Sequence, residues 1–357
     1  MTTLTSPHDL MAAVPFLLGY QPLDSIVIIT LKDDAVGMAM RIDFPDDIDP
    51  DLIDSFISHL ERENAESVLL VAYVPDHIFD CTPLLTAISE ALELRSISLR
   101  ESLIIQAGRW RSTLCSDLEC CPPEGSPIPE FKESRIAAEQ VAQGRPLPFE
   151  GITSLIASIS GQATPISILN ELERLAPIDY ALDAQPFQQE GVTALNSFLN
   201  KFSEKPIFSE KPIFSEKPIF SEKPIFSEKL ESNSSQIALV LMRLKDLQVR
   251  DYALGIVNSE NIDRYWSAWR WLLTIAPKNF IAPVASIFAA ISYERGDGVL
   301  AQRALDRAFA DEKEYPLALL LRRVFTAGWP PEMFATMRAE LHPKIAQTIF
   351  GENLGVA

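Results

Sequence analysis

The sequence predicts an α/β amino-terminal domain, a mixed sheet with flanking helices, followed by an all-α domain of helical hairpins. Two runs, Ser25–Leu31 and Ser67–Val74, are β-branched and apolar on both faces, as strands covered on both sides are. Amphipathic helical spacing alternates with these runs as far as Leu94, which gives a parallel crossover in the middle of the domain. From Glu133 onward only the three-to-four-residue spacing of helices remains.

In chain order, Ser6-Pro7 reads as an N-cap with proline in the first turn of a short helix that runs to about Val14, where Pro15 ends or kinks it. Ser25–Leu31 is a central strand. Lys32-Asp33-Asp34 turns it into Val36–Phe44 as an antiparallel hairpin stopped by Pro45. Leu52, Ile53, Phe56, Ile57 and Leu60 give a helix over 49–64, the strand at Ser67–Val74 follows, and Thr82 opens a second helix through about Leu94. Leu103–Gln106 and Arg109–Leu114 come next, with Arg109, Arg111 and Thr113 on one face and Trp110, Ser112 and Leu114 on the other.

Helical periodicity then marks Arg135–Gln143, Gly151–Ile159, Ile166–Leu175 and Val192–Phe202. Four perfect copies of Phe-Ser-Glu-Lys-Pro-Ile fill 202–225 and an imperfect one follows to Glu231. A period of six with a proline in each copy fits neither a helix nor a solenoid unit, so an extended, poorly ordered insertion is expected, a tolerated duplication rather than a docking tether. Ile262–Ile275 carries Tyr265, Trp266, Trp269, Leu272 and Leu273 as a stripe that leaves Trp271 on another side. Ala282–Tyr293, the turn Arg295–Gly298, Val299–Ala310 and Pro316–Phe325 read as hairpins in series, and their small residues are similar to a tetratricopeptide pair. The segments expected are thus an acidic α/β domain over 1–130, a helical connecting region over 131–201, the repeat insertion over 202–231, a helical-hairpin domain over 232–340 and a tail over 341–357.

Charge is unevenly spread. Of the net charge of −18, residues 1–150 carry −15, whereas residues 231–357 hold 14 acidic and 14 basic side chains. An acidic surface without a basic stripe repels phosphate backbones, so nucleic acid is not an expected partner. No basic n-region precedes an apolar run and no stretch suits a membrane span, and the four cysteines do not form a spread disulfide framework; a cytoplasmic protein without a membrane partner is expected.

Several stretches together resemble the actinobacterial domain-of-unknown-function 4192 family. They are Val14 through Val27, Gly108-Arg109-Trp110-Arg111-Ser112 with Cys115 and Cys120-Cys121-Pro122, and Gly296-Asp297-Gly298 with Ala301 through Ala308. The resemblance brings no assigned activity and no catalytic residues, and the hexapeptide array departs from the family pattern.

Cys115, Cys120 and Cys121 are the first candidate site. A metal centre needs about four converging ligands, so Cys81 or one of His8, His59 and His77 would have to join them. A structural loop with buried thiols is favoured over zinc and over a reversible Cys115–Cys120 or Cys115–Cys121 disulfide. Arg109, Trp110 and Arg111 form the second candidate, an anion-binding strand face beside the cysteines, with plain surface exposure favoured. Asp46, Asp47, Asp49, Asp51 and Asp54 lack the glycine and terminal glutamate of a calcium loop and read as helix caps. Asp24-Ser25 with His8 lacks a nucleophile elbow and reads as a turn. Phosphate-binding glycine loops and the His-Glu-x-x-His pattern do not occur. In Arg295-Gly296-Asp297 the glycine is expected to end one helix and the aspartate to cap the next.

The function expected is that of a non-enzymatic adaptor or regulatory protein with a protein partner and no cofactor other than zinc, if the cysteines take one. The alternative is a small-molecule-binding or enzymatic α/β domain with its site at the Arg-Trp-Arg strand and the cysteine loop.

Overall fold

A computed structural model describes residues 3–33, 35–62, 64–143, 147–202 and 233–351. The hexapeptide array beyond Phe202 lies outside the described residues. The chain divides into two compact units, residues 1–155 and 156–357.

The first unit is built on a six-stranded sheet with strands Ser25–Lys32 (β1), Ala35–Asp43 (β2), Ser67–Tyr73 (β3), Ser98–Gln106 (β4), Arg109–Ser112 (β5) and Ser126–Pro127 (β6), in the order β2-β1-β3-β4-β5-β6. Only β3 and β4 run parallel; every other neighbouring pair is antiparallel. The β1 strand is buried along seven of its eight residues because strands pair on both of its edges and both of its faces are covered. Its hairpin with β2 carries an irregularity between Ile29 and Leu31. There the Thr30 hydroxyl accepts from the Met38 amide at 2.7 Å, and a Cβ on Gly37 would meet that hydroxyl at 2.6 Å, so a larger residue would have to displace it.

Pro50–Arg62 (α2) and Thr82–Leu94 (α3) cover one face of the sheet, packing Phe56, Ile57, Leu60, Leu84, Ile88 and Leu92 on Ile26, Ile28, Val68, Leu70 and Ile104. Of the aspartates expected to cap α2, Asp49 does so, its carboxylate accepting from the Asp51 amide at 3.0 Å. Pro7–Leu18 (α1) begins at the expected Ser6 cap but runs on through Pro15. The proline removes a bond only from the Met11 carbonyl, while Leu10, Met11, Val14 and Leu18 are buried and Gly19, at φ +80°, closes the helix on the Pro15 carbonyl at 2.8 Å.

This unit extends past residue 130, where the α/β domain was expected to end. After a single 3-10 turn at Phe131–Glu133, helix Arg135–Ala142 (α4) buries Ile136 against Ala12 and Ala13, and Arg135 pairs with the buried Asp9 at 2.9 Å. Phe149 then bridges Tyr20, its amide bonded to the Gly19 carbonyl at 2.9 Å.

After Ile152–Ala157 (α5), the described residues are helical: Ile166–Arg174 (α6), Gln185–Asn200 (α7), Ser234–Arg243 (α8), Leu247–Gly255 (α9), Ile262–Ile275 (α10), Ile281–Glu294 (α11), Gly298–Asp311 (α12), Pro316–Thr326 (α13) and Pro331–Phe350 (α14). The central helix is α11, buried over eleven of its fourteen residues. Ala301, Ala304 and Ala308 of α12 have no exposed surface, which lets the two helices of this hairpin approach closely. Gly296 ends α11 at φ +84° as expected, but Asp297 makes no side-chain cap to α12. Trp271 lies on another side of α10 from the stripe, as expected: Trp266 of the stripe meets Phe288 of α11 at 5.6 Å. The Trp271 ring lies 6.0 Å from Phe198 and 5.9 Å from Phe202, because α10 packs on α7 as well as on α11. Residue 341, where a tail was expected to start, falls inside α14. That helix is held by Arg338, whose guanidinium pairs with Glu294 and donates to the Leu254 and Val257 carbonyls at the end of α9, at 2.8 and 2.7 Å. No helix among the described residues is long and apolar enough to cross a membrane.

Candidate functional site: the cysteine loop

The loop that carries Cys115, Cys120 and Cys121 hangs from the β4–β5 hairpin. Ala107 and Gly108 both have positive φ, 48° and 73°, the backbone of a two-residue turn matched to strand twist. Along β5 the side chains alternate as expected: Trp110 and Ser112 are buried, Arg111 is half-buried and Arg109 is exposed. Trp110 meets the His8 ring edge-on at 5.1 Å under α1. At the exit of β5, the Ser112 hydroxyl donates to Glu101 at 2.6 Å and accepts the Leu114 amide at 3.1 Å, which sets the direction in which the chain leaves the sheet.

Asp117 ties the loop into a knot. Its carboxylate accepts the Glu119 amide at 2.9 Å and the Cys120 amide at 3.4 Å, and its carbonyl accepts the Cys121 amide at 2.7 Å. The chain therefore turns back on itself and brings the Cys115 sulfur to the side of the adjacent pair. All three Sγ atoms lie within 4.8 Å of one another. Sulfurs around one tetrahedral ion, with bonds of about 2.3 Å, stand roughly 3.8 Å apart, so the three reach a common ion with small side-chain rotations. Cys115 and Cys121 are half-buried and Cys120 is exposed. The Cys120 thiol is held above its ordinary pKa by its contacts with Cys121 and then by Cys115, since ionising one sulfur beside two others is unfavourable without a cation.

The return of the loop is fastened by Arg109. Its Nε donates to the Glu124 carbonyl at 2.8 Å and its Nη2 to the Gly125 carbonyl at 2.6 Å. Gly125 sits at φ +75°, and a Cβ there would approach the Trp110 carbonyl to 2.9 Å. The charge of Arg111 reaches Asp80 before α3, where, after the Thr82 hydrogen bonds, it adds to the lowering of the carboxyl pKa. It also opposes the burial that pushes the Cys81 thiol up.

The expected fourth ligands do not join the three sulfurs among the described residues. Cys81 is packed in the core below α3, His8 lies against Trp110, His59 Nδ1 is 2.8 Å from the Ser55 carbonyl, and His77 is 3.6 Å from Asp46. The two arginines of the Arg-Trp-Arg strand diverge in role, one clasping the loop and the other acting on Asp80 through its charge. Sequence reasoning missed Asp117, and Gly125 with Pro122-Pro123 reads there only as the exit from the α/β domain. An aspartate two and three residues before two amides that need acceptors is the signal of such a turn, and Gly125 follows Pro122-Pro123 at the point where the chain doubles back.

These features define a two-unit protein, α/β then all-α, with a three-thiol loop on the sheet edge. The chain belongs to the domain-of-unknown-function 4192 (DUF4192) family, which it matches over residues 7–332. No curated protein and no solved structure matches it.

Proposed function

We propose that the chain is a non-enzymatic regulatory or adaptor protein whose α/β unit binds a soft metal ion of the zinc class on Cys115, Cys120 and Cys121. The observation that carries this reading is the approach of the three sulfurs to within 4.8 Å of one another, on a loop whose turn is held by Asp117 and whose base is held by Arg109. Thiolates select zinc-class and softer ions over magnesium or calcium. A reducing compartment such as the cytoplasm keeps them reduced. The net charge of −18 favours a protein partner over nucleic acid.

A small-molecule site on the Arg-Trp-Arg strand has less support, because Arg109 is engaged with the Glu124 and Gly125 carbonyls and Trp110 is buried. The test is elemental analysis of the full chain purified under reducing conditions and loaded with zinc. About one tightly held ion per chain is expected, and loss of it in Cys115→Ser, Cys120→Ser and Cys121→Ser. A wild-type chain that retains no more zinc than the three variants overturns the reading. A disulfide between two of the cysteines, found by mass spectrometry of the anaerobically purified protein, would put redox chemistry in its place.

A further inference from the structure

We infer that the ion held by the cysteine loop keeps one coordination position for a neutral donor from outside the chain, of the imidazole or water class. The inference rests on the proposed thiolate metal site and concerns what completes it. An ion of the zinc class takes four ligands in a tetrahedron. The loop supplies three, and among the described residues no carboxylate, imidazole or fourth thiol joins them within 4.8 Å.

Two acids lie between the ligands in sequence: Glu119 does not join the three sulfurs within 4.8 Å, and Asp117 is already engaged. The Asp117 carboxylate accepts the Glu119 and Cys120 amides, and turning it toward an ion would undo the turn that brings Cys115 to the pair. The cluster is reachable from solvent, since Cys120 is exposed and so are its neighbours Ser116, Leu118 and Glu119.

Charge selects the kind of donor. Three thiolates on a divalent ion already leave the centre with a single negative charge, and it stands in a part of the chain, residues 1–150, whose net charge is −15. A fourth thiolate or a carboxylate adds to that repulsion, whereas imidazole or water adds none. The same charge makes the ion a weak Lewis acid toward a bound water, so ligand exchange rather than hydrolysis is the chemistry the site offers. Loading the ion releases the thiol protons to solvent, and exchange of water for imidazole forms one metal–nitrogen bond and breaks one metal–oxygen bond without electron transfer.

The test uses the full chain loaded anaerobically with cobalt(II), whose visible spectrum reports geometry through its ligand-field bands and thiolate number through its sulfur-to-metal charge transfer. Imidazole is the titrant. The expected result is a saturable change in the ligand-field bands with the charge-transfer intensity unchanged. A tetrahedral cobalt spectrum that imidazole leaves unaltered means that the site is closed from within the chain and overturns the inference while leaving the metal site standing. Loss of charge-transfer intensity means that imidazole displaces a thiolate, which also overturns it. Failure of the chain to bind cobalt at all overturns the metal site itself, and the inference with it.

Discussion

The guanidinium of Arg109 at the start of β5 donates through Nη2 to the carbonyl of Gly125 at 2.6 Å, across the mouth of the cysteine loop. With the Nε bond to Glu124 it closes the loop at its base, where a lysine could not supply two donors in one plane. Arg109→Ala is therefore expected to weaken zinc binding by about 10–100-fold, in the range seen when groups that orient metal ligands are removed, with the sheet intact. Competition with a chromophoric chelator measures the affinity, and circular dichroism checks the fold.

Gly125 is constrained from two sides, by its positive φ and by the Trp110 carbonyl 2.9 Å from where a Cβ would stand. Gly125→Ala is expected to destabilise the first unit by about 1–3 kcal/mol. Denaturant unfolding followed by tryptophan fluorescence reads the loss as a lower midpoint. An unchanged midpoint would mean that the loop relaxes without cost.

In the second unit, Arg338 and Glu294 are both almost fully buried and form a two-pronged pair. Arg338→Met leaves the Glu294 carboxylate without its partner and the carbonyls at the end of α9 without a donor, at an expected cost of about 3–5 kcal/mol. Adding Glu294→Gln should recover part of it by removing the stranded charge. A thermal melt of the single and double variants checks the order.

His342 lies on α14 against the Tyr252 ring at 5.1 Å, with its Nδ1 buried and unbonded. Burial, and then the charge of Arg338, holds its pKa below the ordinary 6.5. The folded state thus binds fewer protons than the unfolded chain in the window between the lowered value and 6.5. Its contribution to stability is complete above that window and declines as the pH falls through it. His342→Gln should flatten this part of the stability profile, measured by urea unfolding at a series of pH values.

What the chain reveals of itself follows from how local each cause is. The β1 run is legible because burial on both faces leaves no polar position in Ile26–Ile29, and the hairpin turn of α11 and α12 because glycine takes the positive φ of Gly296 most readily. Pro15 reads as a stop only if the helix is judged alone; the packed residues around it and the Gly19 closure override the missing hydrogen bond. The spacing sets Trp271 apart from the α10 stripe but does not show that its side is packed as well, because that depends on α7 lying against α10. The spacing of Cys115, Cys120 and Cys121 is visible, but their convergence depends on Asp117 folding the loop, and Arg109 and Arg111 look like a pair although one holds the loop carbonyls and the other acts on Asp80.

X-ray absorption at the zinc edge of the metal-loaded full chain tests the central claim most directly, because it counts the ligands and their kind. The account predicts three sulfurs at about 2.3 Å and one nitrogen or oxygen at about 2.0–2.1 Å. A first shell of nitrogen and oxygen alone, or one with fewer than three sulfurs, would contradict it.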